Sequence, residues 1–156
     1  MTASATVPSP VGPLTIEVHG RRVTSVRFHE GRPTAGDAPE LIAAASQLKE
    51  YFSGRRRTFD LPLELSAGPF DRRVFDALRQ IPYGERISYG ELTARLSLDI
   101  EEVRKVAAAV GRNPLPILIP CHRVVGADGG LVGYGGGLTR KAQLLALEAG
   151  QLQLAV

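Results

Sequence analysis

The chain of 156 residues contains one cysteine, Cys121. A single thiol can form neither an internal disulfide nor a cysteine-rich metal site, so a buried hydrophobic core must stabilise the fold. A chain of this length buries enough apolar surface to do so. A lone thiol also suits a reducing compartment, and the first ten residues lack the basic start and apolar stretch of a signal peptide. We therefore expect a cytoplasmic protein.

The charge and hydropathy of the chain narrow the classes of partner. The formal net charge of +3 permits contact with a polyanion such as nucleic acid without requiring it. The sequence has no apolar stretch long enough for a transmembrane helix, so we expect no membrane partner.

The first part of the chain predicts a hairpin followed by a helix. Two β-branched runs separated by a glycine indicate antiparallel strands, at Leu14–His19 and Val23–Phe28. A helix is predicted to begin at Pro39 and to end at Gly54, because helices favour proline at their first position and glycine just after their last. Residues 61–69 contain two prolines and a glycine, which indicates a linker.

The residues after the linker predict short helices. Residues 71–80 carry an apolar stripe at helical spacing. Ser88 followed by Glu91, and Asp99 followed by Glu102, each have the spacing of a capping box at a helix start. Two capped helices with a tight connection are typical of a helix-turn-helix, although the same pattern fits an αα-hairpin inside a core.

These elements together predict an α+β fold. A small N-terminal α/β half, residues 1–65, would hold an antiparallel sheet. A helical C-terminal half, residues 66–156, would hold the helix-turn-helix and an active-site loop around Cys121.

A glycine-rich stretch follows Cys121, with six glycines between residues 129 and 137. Such a run lets a ligand approach the main chain closely, or it is a plain flexible loop. Thr139 is predicted to cap a last helix, and Glu148 lies within the arc of leucines that marks its apolar face. A buried carboxylate needs a partner, for which His122 is the candidate.

Cys121 permits two interpretations, because among Ile, Leu and Val it is either a small buried hydrophobe or a reactive thiolate. A reactive thiol needs a base, and His122 is next to it in the sequence. Neighbouring side chains diverge in regular structure, so a sharp turn or a bridging water is required between the two. Glu148, accepting the second imidazole proton, would fix the tautomer. The predicted relay runs from thiol to water to His122 to Glu148.

The segment Pro120-Cys-His-Arg-Val124 resembles the signature of the O6-alkylguanine-DNA alkyltransferase family. Further segments fall where that family has similar ones, over residues 66–150 and more weakly in the N-terminal half. They are Ile81-Pro-Tyr-Gly84, Ser88-Tyr-Gly90, Asn113-Pro114, Gly133-Tyr-Gly-Gly-Gly137, Leu144-Leu-Ala-Leu-Glu148, Ser9-Pro-Val-Gly-Pro-Leu14 and Tyr51-Phe-Ser-Gly54.

The resemblance implies direct DNA repair that uses no cofactor and no metal ion. Members of the family insert a helix-turn-helix into the DNA minor groove, flip the damaged guanine out and transfer its alkyl group to a cysteine thiolate. The thioether is stable, so each molecule acts once. The implied partner is double-stranded DNA with O6-alkylguanine, or with O4-alkylthymine, and the protein is expected to be a monomer.

The resemblance also implies catalytic roles. Cys121 would accept the alkyl group, His122 would act as the water-mediated base, and Glu148 would orient that base. Tyr89 would contact the phosphate of the target nucleotide and donate a hydrogen bond toward the guanine ring. Asn113 would tie the turn between the recognition helix and the active site, although an ordinary turn asparagine before proline fits the same position.

Contacts with DNA and with the flipped base are implied in the same way. Arg104 would fill the place that the flipped base leaves in the stack, although without the resemblance its position favours an ordinary solvent-exposed helix arginine. Tyr89, Ser88 and Gly90 would lie against the DNA. The base pocket would be lined by backbone groups of Cys121 and Val124, with Tyr134, Gly135 and Gly136.

Three positions, Lys105, Ala107 and Phe75, depart from the pattern of the family. Arg104-Lys-Val-Ala107 stands where the family usually has Arg-Ala-Val-Gly, and Phe75 stands where many bacterial members have tryptophan. We expect these departures to affect lesion range and DNA affinity and to leave the chemistry intact.

Three other functions are consistent with parts of the sequence. A non-enzymatic alkyltransferase-like protein binds the lesion, but such relatives replace the cysteine that this chain keeps as Cys121. A cysteine hydrolase would use Cys121, His122 and Glu148, but it also needs an oxyanion hole that the sequence does not indicate. A helix-turn-helix regulator would have no use for a reactive Cys-His-Glu set.

Overall fold

The computed structural model describes residues 2–29, 32, 34 and 36–150 and has an α+β fold. The strands are β1 Thr2–Val7, β2 Leu14–His19, β3 Arg22–Phe28, β4 Ile87–Ser88 and β5 Val124–Val125. The helices are α1 Pro39–Phe52, α2 Pro69–Arg79, α3 Tyr89–Arg95, α4 Val103–Gly111 and α5 Leu138–Glu148. Short 3-10 turns lie at Ile100–Glu102 and at Cys121–Arg123. Within these ranges, none of the helices has the length and apolar character needed to cross a membrane.

The N-terminal sheet has the strand order β1-β2-β3 and is antiparallel throughout. Its predicted hairpin is confirmed as β2 and β3, whose alternate residues Ile16 and Val26 are buried. The sequence did not predict β1, because its Thr, Ala and Ser side chains lack the large apolar alternation that marks a strand. This strand depends on its main-chain pairing with β2.

Helix α1 covers the sheet with the face that carries Leu41, Leu48 and Phe52. It begins at Pro39 as predicted, since proline has no amide hydrogen to lose at the first helical position. The helix ends at Phe52, and Gly54 then adopts a left-handed φ of 79° that favours glycine.

The predicted helix-turn-helix is formed by α3 and α4. The capping box at α3 is confirmed: Ser88 Oγ accepts from the Glu91 amide at 3.0 Å, and Glu91 Oε1 accepts from the Ser88 amide at 3.2 Å. The second capping box is wrong, because Asp99 makes no side-chain capping bond with any described residue. A 3-10 turn intervenes there, closed by the Glu102 amide donating to the Asp99 carbonyl at 2.9 Å, and α4 starts only at Val103.

The prediction that Thr139 caps the last helix is also wrong. Helix α5 starts one residue earlier, at Leu138, and its N-cap is Gly137 with a φ of 91°. The Gly137 carbonyl accepts from the Lys141 amide at 3.1 Å, so the main chain closes the first turn. The positive φ explains why glycine occupies this position.

The two halves of the chain share one hydrophobic core, which runs from β2 and α1 into α2, α3 and α5. The predicted linker is not a free tether, because the main chain of Val23 pairs with Pro62 and Glu64 at 2.9 Å each. Farther along β3, the Val26 amide donates to the Pro114 carbonyl at 3.0 Å. These contacts fix β3 beside the segment that leads to Cys121.

Candidate active site

The loop between α4 and Cys121 is held by Asn113. Its Nδ2 donates to the Ile119 carbonyl at 2.8 Å, and its Oδ1 accepts from the Leu115 amide at 3.0 Å. Within this loop Ile117 is buried and has a φ of 73°, a strained conformation for a β-branched residue. Such strain persists only where the surrounding structure enforces it, and it is concentrated at functional sites.

Cys121 and His122 lie in a 3-10 turn, a sharp turn of the kind that the sequence predicts as one alternative to a bridging water. The Cys121 side chain faces a cavity, whereas the wholly buried His122 ring is directed to α5. There His122 Nε2 lies 2.7 Å from Glu148 Oε2, the pairing that the periodicity of α5 suggested. The other ring nitrogen, Nδ1, is buried and has no hydrogen-bond partner in the described part of the chain.

Glu148 has partners that the sequence did not reveal. Arg123 donates from Nε to Oε1 at 2.7 Å and from Nη2 to Oε2 at 3.0 Å, and its Nη1 donates to the Ile81 carbonyl at 2.7 Å. The Tyr51 hydroxyl donates to Oε2 at 2.6 Å. Arg123 could have been suspected from the sequence, because a charged residue among apolar neighbours needs a buried partner. Tyr51 gave no such signal, because it lies 97 residues from Glu148 in the chain.

The electrostatics of the site keep Glu148 ionised. Burial alone would raise the pKa of this carboxyl, but the hydrogen bonds and charges of His122 and Arg123 outweigh it and lower the pKa to about 2. Burial lowers the pKa of His122 despite the opposing Glu148 charge, so the imidazole is neutral near pH 7. Nε2–H then donates to the carboxylate, and Nδ1 keeps a free lone pair.

The thiol of Cys121 is not a thiolate at rest. Burial raises its pKa, against the smaller lowering effects of the Asn113 hydrogen bond and the Lys141 charge. A nucleophilic cysteine in this setting needs a base to take its proton. Nδ1 of the neighbouring His122 has the unshared lone pair that a base requires.

Cys121 opens into a cavity of about 510 Å³, a volume typical of small-molecule sites. Four segments form its wall: β3, the start of α3, the end of α4 with the following loop, and the glycine-rich loop. Its lining includes Ser25, Phe28, Tyr89, Ala107, Asn113, Gly133, Tyr134, Gly135 and Gly136. Val124, expected in this lining, is not part of it: Val124 is buried and pairs with Ile87 in the β4–β5 ladder.

The glycine-rich loop is held by a lysine that the sequence did not single out. Lys141 is buried, and its Nζ donates to the carbonyls of Val132 at 2.8 Å and Gly133 at 3.1 Å. The Tyr89 hydroxyl, at the start of α3, lies 3.4 Å from the same Val132 carbonyl. The loop is therefore fixed against α3 and α5 rather than freely flexible.

A second set of contacts ties this loop to the N-terminal half. Arg140 donates from Nε to the Val11 carbonyl at 2.6 Å and from Nη1 to the Gly136 carbonyl at 3.1 Å. Its guanidinium lies 4.8 Å from the ring centroid of Phe28. A Cβ at Gly136 would come within 2.5 Å of Phe28, so the close approach requires glycine.

The residues expected to contact DNA lie outside the cavity, apart from Tyr89. Arg104 is exposed on α4. Ser88 uses its side chain in the capping box, and Gly90 lies in the first turn of α3, close to Ile100. Described residues contain no group of three His, Cys, Asp or Glu side chains that could hold a metal ion.

The departures from the family pattern have visible places in the structure. Lys105 Nζ lies 4.5 Å from the ring centroid of Phe70, so it joins α4 to α2. The Ala107 methyl lies in the cavity wall. Phe75 is buried in the core.

Two family models match the sequence, and together they span most of it. The 6-O-methylguanine DNA methyltransferase, ribonuclease-like domain matches residues 3–65. The 6-O-methylguanine DNA methyltransferase, DNA binding domain matches residues 69–150.

Individual relatives agree with the family models. Methylated-DNA–protein-cysteine methyltransferase of Mycobacterium tuberculosis is 44% identical over 149 residues, which cover 92% of this chain and 90% of that protein. The constitutive methyltransferase of the same name from Bacillus subtilis is 47% identical over 113 residues, 72% of this chain and 68% of that protein. The crystal structure of Mycobacterium tuberculosis OGT in complex with DNA matches with a TM-score of 0.84 at 44% identity, covering 94% of this chain and 92% of that one. The chain therefore belongs to the 6-O-methylguanine DNA methyltransferase family.

Proposed function

We propose that this chain repairs alkylated DNA directly, by transferring the alkyl group of O6-alkylguanine to Sγ of Cys121. The observation that carries the proposal is the placement of Cys121 at a cavity with His122 and Glu148 hydrogen-bonded behind it. Relatives named methylated-DNA–protein-cysteine methyltransferase support the same activity. The cavity volume of about 510 Å³ is ample for a flipped base.

The reaction is a single displacement. His122 Nδ1 takes the thiol proton through a bridging water, and the thiolate attacks the alkyl carbon. The S–C bond forms as the C–O6 bond breaks, and its electron pair stays on the guanine, which takes up a proton. Glu148, fixed by Arg123, stabilises the imidazolium that forms on His122. Tyr89, at the edge of the cavity, donates toward the guanine ring as negative charge develops there.

The protein inactivates itself in this reaction. A thioether on Cys121 is stable, and no second cysteine is present to remove the alkyl group. Each molecule therefore repairs one lesion. O4-alkylthymine, which presents the same alkyl–oxygen bond, is a second substrate.

DNA binds through the helix-turn-helix, with α4 in the minor groove. Arg104 is exposed there and fills the position of the flipped base, while Tyr89, Ser88 and Gly90 at the start of α3 lie along the strand that carries the lesion. Asn113 ties α4 to the loop that presents the nucleophile. We place the protein in the cytoplasm and propose that it acts as a monomer.

The two halves of the chain have different proposed roles. Residues 66–156 bind DNA and supply the nucleophile and its relay, and residues 1–65 are a structural half that supports them and adds β3 to the cavity wall. Support comes from the DNA binding domain model, which matches 69–150. Residues 151–156 lie outside the described structure.

Intact-mass measurement tests the function. Incubation with duplex DNA containing O6-methylguanine should add one methyl group per protein molecule, located at Cys121, and leave guanine in the DNA. The Cys121→Ser protein should bind the same DNA and acquire no methyl group. Repair of more lesions than there are protein molecules would indicate turnover, as in a hydrolase. Binding of the lesion without transfer would indicate an alkyltransferase-like protein. Either result would contradict the proposal.

A further inference from the structure

Tyr51 connects the N-terminal half to the relay. It lies near the end of α1, is wholly buried, and donates its hydroxyl to Glu148 Oε2 at 2.6 Å. The same oxygen accepts a hydrogen bond from His122 Nε2 at 2.7 Å. Among the residues that the structure describes, Tyr51 is the one side chain before the linker that hydrogen-bonds to Cys121, His122 or Glu148.

The protonation states make this hydrogen bond a strong one. Burial, together with the neighbouring Glu148 charge, raises the pKa of Tyr51 well above its usual value, so the phenol stays protonated and acts as the donor. Glu148 is the anion. A hydroxyl that donates to a carboxylate at 2.6 Å has the short distance typical of a charge-assisted hydrogen bond.

The charged and titratable groups around the pair come from several elements. Glu148 faces His122 and Arg123 of the 3-10 turn, Tyr51 of α1 and, at longer range, Tyr83 of the turn after α2. His122 faces Glu148, its neighbour Arg123 and Lys141 of α5. The Arg57 guanidinium lies 5.1 Å from the centroid of the Tyr83 ring.

We propose that Tyr51 is a positioning residue for alkyl transfer: through Oε2 of Glu148 it fixes the carboxylate and limits how strongly that carboxylate stabilises a protonated His122. The inference rests on the proposed function. Tyr51, His122 and Arg123 all donate to Oε2. The proton donated by Tyr51 therefore adds to that of Arg123 in reducing the negative charge that this oxygen offers to the imidazole. Burial already lowers the pKa of His122, and the Tyr51 hydrogen bond acts in the same direction, so that His122 remains a neutral base with Nδ1 free to take the thiol proton.

Removing the hydroxyl should have a specific electrostatic effect. In Tyr51→Phe the ring keeps its edge contacts with Phe52 and Tyr83, but Oε2 loses a donor. The carboxylate then interacts more strongly with His122, and the imidazolium becomes more favourable. His122 should stay protonated to a higher pH, where it cannot act as a base.

Tyr83→Phe is the matched control. Tyr83 lies 6.1 Å from Tyr51 by ring centroids and feels the Glu148 charge, yet its hydroxyl makes no hydrogen bond to Glu148. Both variants remove one phenol oxygen from the same neighbourhood. Their difference isolates the hydrogen bond to Oε2.

The experiment compares single-turnover methyl transfer from O6-methylguanine duplex DNA at about pH 5 to pH 8 for wild type, Tyr51→Phe and Tyr83→Phe. The acid limb of the rate should move up by about one pH unit in Tyr51→Phe, so that the rate below the limb falls about tenfold, and should not move in Tyr83→Phe. In parallel, the His122 imidazole is titrated by nitrogen NMR in the same three proteins. Its midpoint should rise in Tyr51→Phe alone.

Two results would overturn the inference: superimposable pH profiles and titrations, or a rate that falls equally at every pH with an unchanged His122 midpoint, as a merely structural role predicts. Failure of the proposed function gives a different result, since the wild type would then acquire no methyl group. In that case the NMR titration still decides whether Tyr51 controls the protonation of His122: a midpoint unchanged in Tyr51→Phe overturns that control, and a raised one supports it.

Discussion

The Phe28 ring in β3 packs edge-on against the Tyr134 ring in the glycine-rich loop, with 5.9 Å between the ring centroids. Both rings line the cavity that contains Cys121. A residue of the N-terminal half therefore forms part of the wall against which the flipped base and its alkyl group would lie.

Replacing Phe28 with alanine should widen the range of alkyl groups that the protein accepts. The change removes the contacts with Tyr134 and Arg140 and opens one side of the cavity. We expect the rate ratio of O6-benzylguanine to O6-methylguanine to rise roughly tenfold. The stability cost should be about 2 kcal/mol or more, because buried apolar area is lost together with the ring pair. Leu138→Ala, an exposed side chain outside the lining, is the control. An unchanged ratio in Phe28→Ala would show that this wall does not set substrate size.

Replacing Glu148 with glutamine should slow transfer and destabilise the fold together. Arg123 would keep a buried charge without its anion, which costs about 3 kcal/mol or more. His122 would lose the carboxylate that stabilises its protonated form, which should lower the single-turnover rate at least about 100-fold. Urea denaturation and single-turnover kinetics measure the two effects. Glu50→Gln, which breaks a partly exposed pair with Arg56, should change stability by less than about 1 kcal/mol.

Acid should weaken the fold in two successive ranges. The pKa of His122 is lowered below its ordinary 6.5 by burial, so the unfolded chain binds a proton first and stability falls as the pH drops below 6.5. The pKa of Glu148 is lowered from 4.5 to about 2, so its contribution is complete above pH 4.5 and is lost between those values. Both changes have the same sign. Urea denaturation at a series of pH values should show the free energy of unfolding falling with acid, and a rise below pH 6.5 would refute the assignment of a neutral, buried His122.

Replacing Arg104 with alanine should impair repair of duplex DNA much more than transfer from free O6-benzylguanine. Only the duplex reaction requires the base to leave the stack. Arg79→Ala removes an exposed arginine at the end of α2 and controls for the loss of charge. Rates on both substrates, at several salt concentrations, separate extrusion from counterion release. Equal losses on the duplex and the free base would mean that Arg104 does not fill the vacated position.

Local patterns predicted the elements that depend on nearby residues. The Ser88 capping box is encoded within four residues and was correct. Asp99 has the same spacing but failed, because a 3-10 turn satisfies its helix start through the main chain. Thr139 failed for a similar reason, since the N-cap is Gly137, two residues earlier, whose carbonyl accepts from the Lys141 amide and closes the first turn of α5. Side-chain spacing does not show which competing main-chain geometry is used.

Two kinds of feature made parts of the site predictable from the sequence. One is a pair of residues adjacent in the chain, and the other is a charged residue that helical periodicity places on an apolar face. Glu148 on an apolar helix face demanded a partner, and His122 was found in this way. Arg123 and Tyr51 share the same carboxylate, but their approach depends on the packing of α1 and of the 3-10 turn against α5. Long-range packing of that kind has no periodic signature in the chain.

The pairing of Val23 with Pro62 and Glu64 has a consequence for association between copies of the chain. An outer strand with free amides and carbonyls is a template on which another chain can add a strand and aggregate. Here β3 has main-chain groups bonded to the linker and to Pro114, while on the opposite edge Thr6 of β1 bonds to Thr34. The chain thus bonds its own segments to β3 and to the Thr6 end of β1, which disfavours edge-to-edge aggregation at these positions. Such protection matters for a protein that the proposed reaction consumes, because a cell must replace each spent molecule by new synthesis.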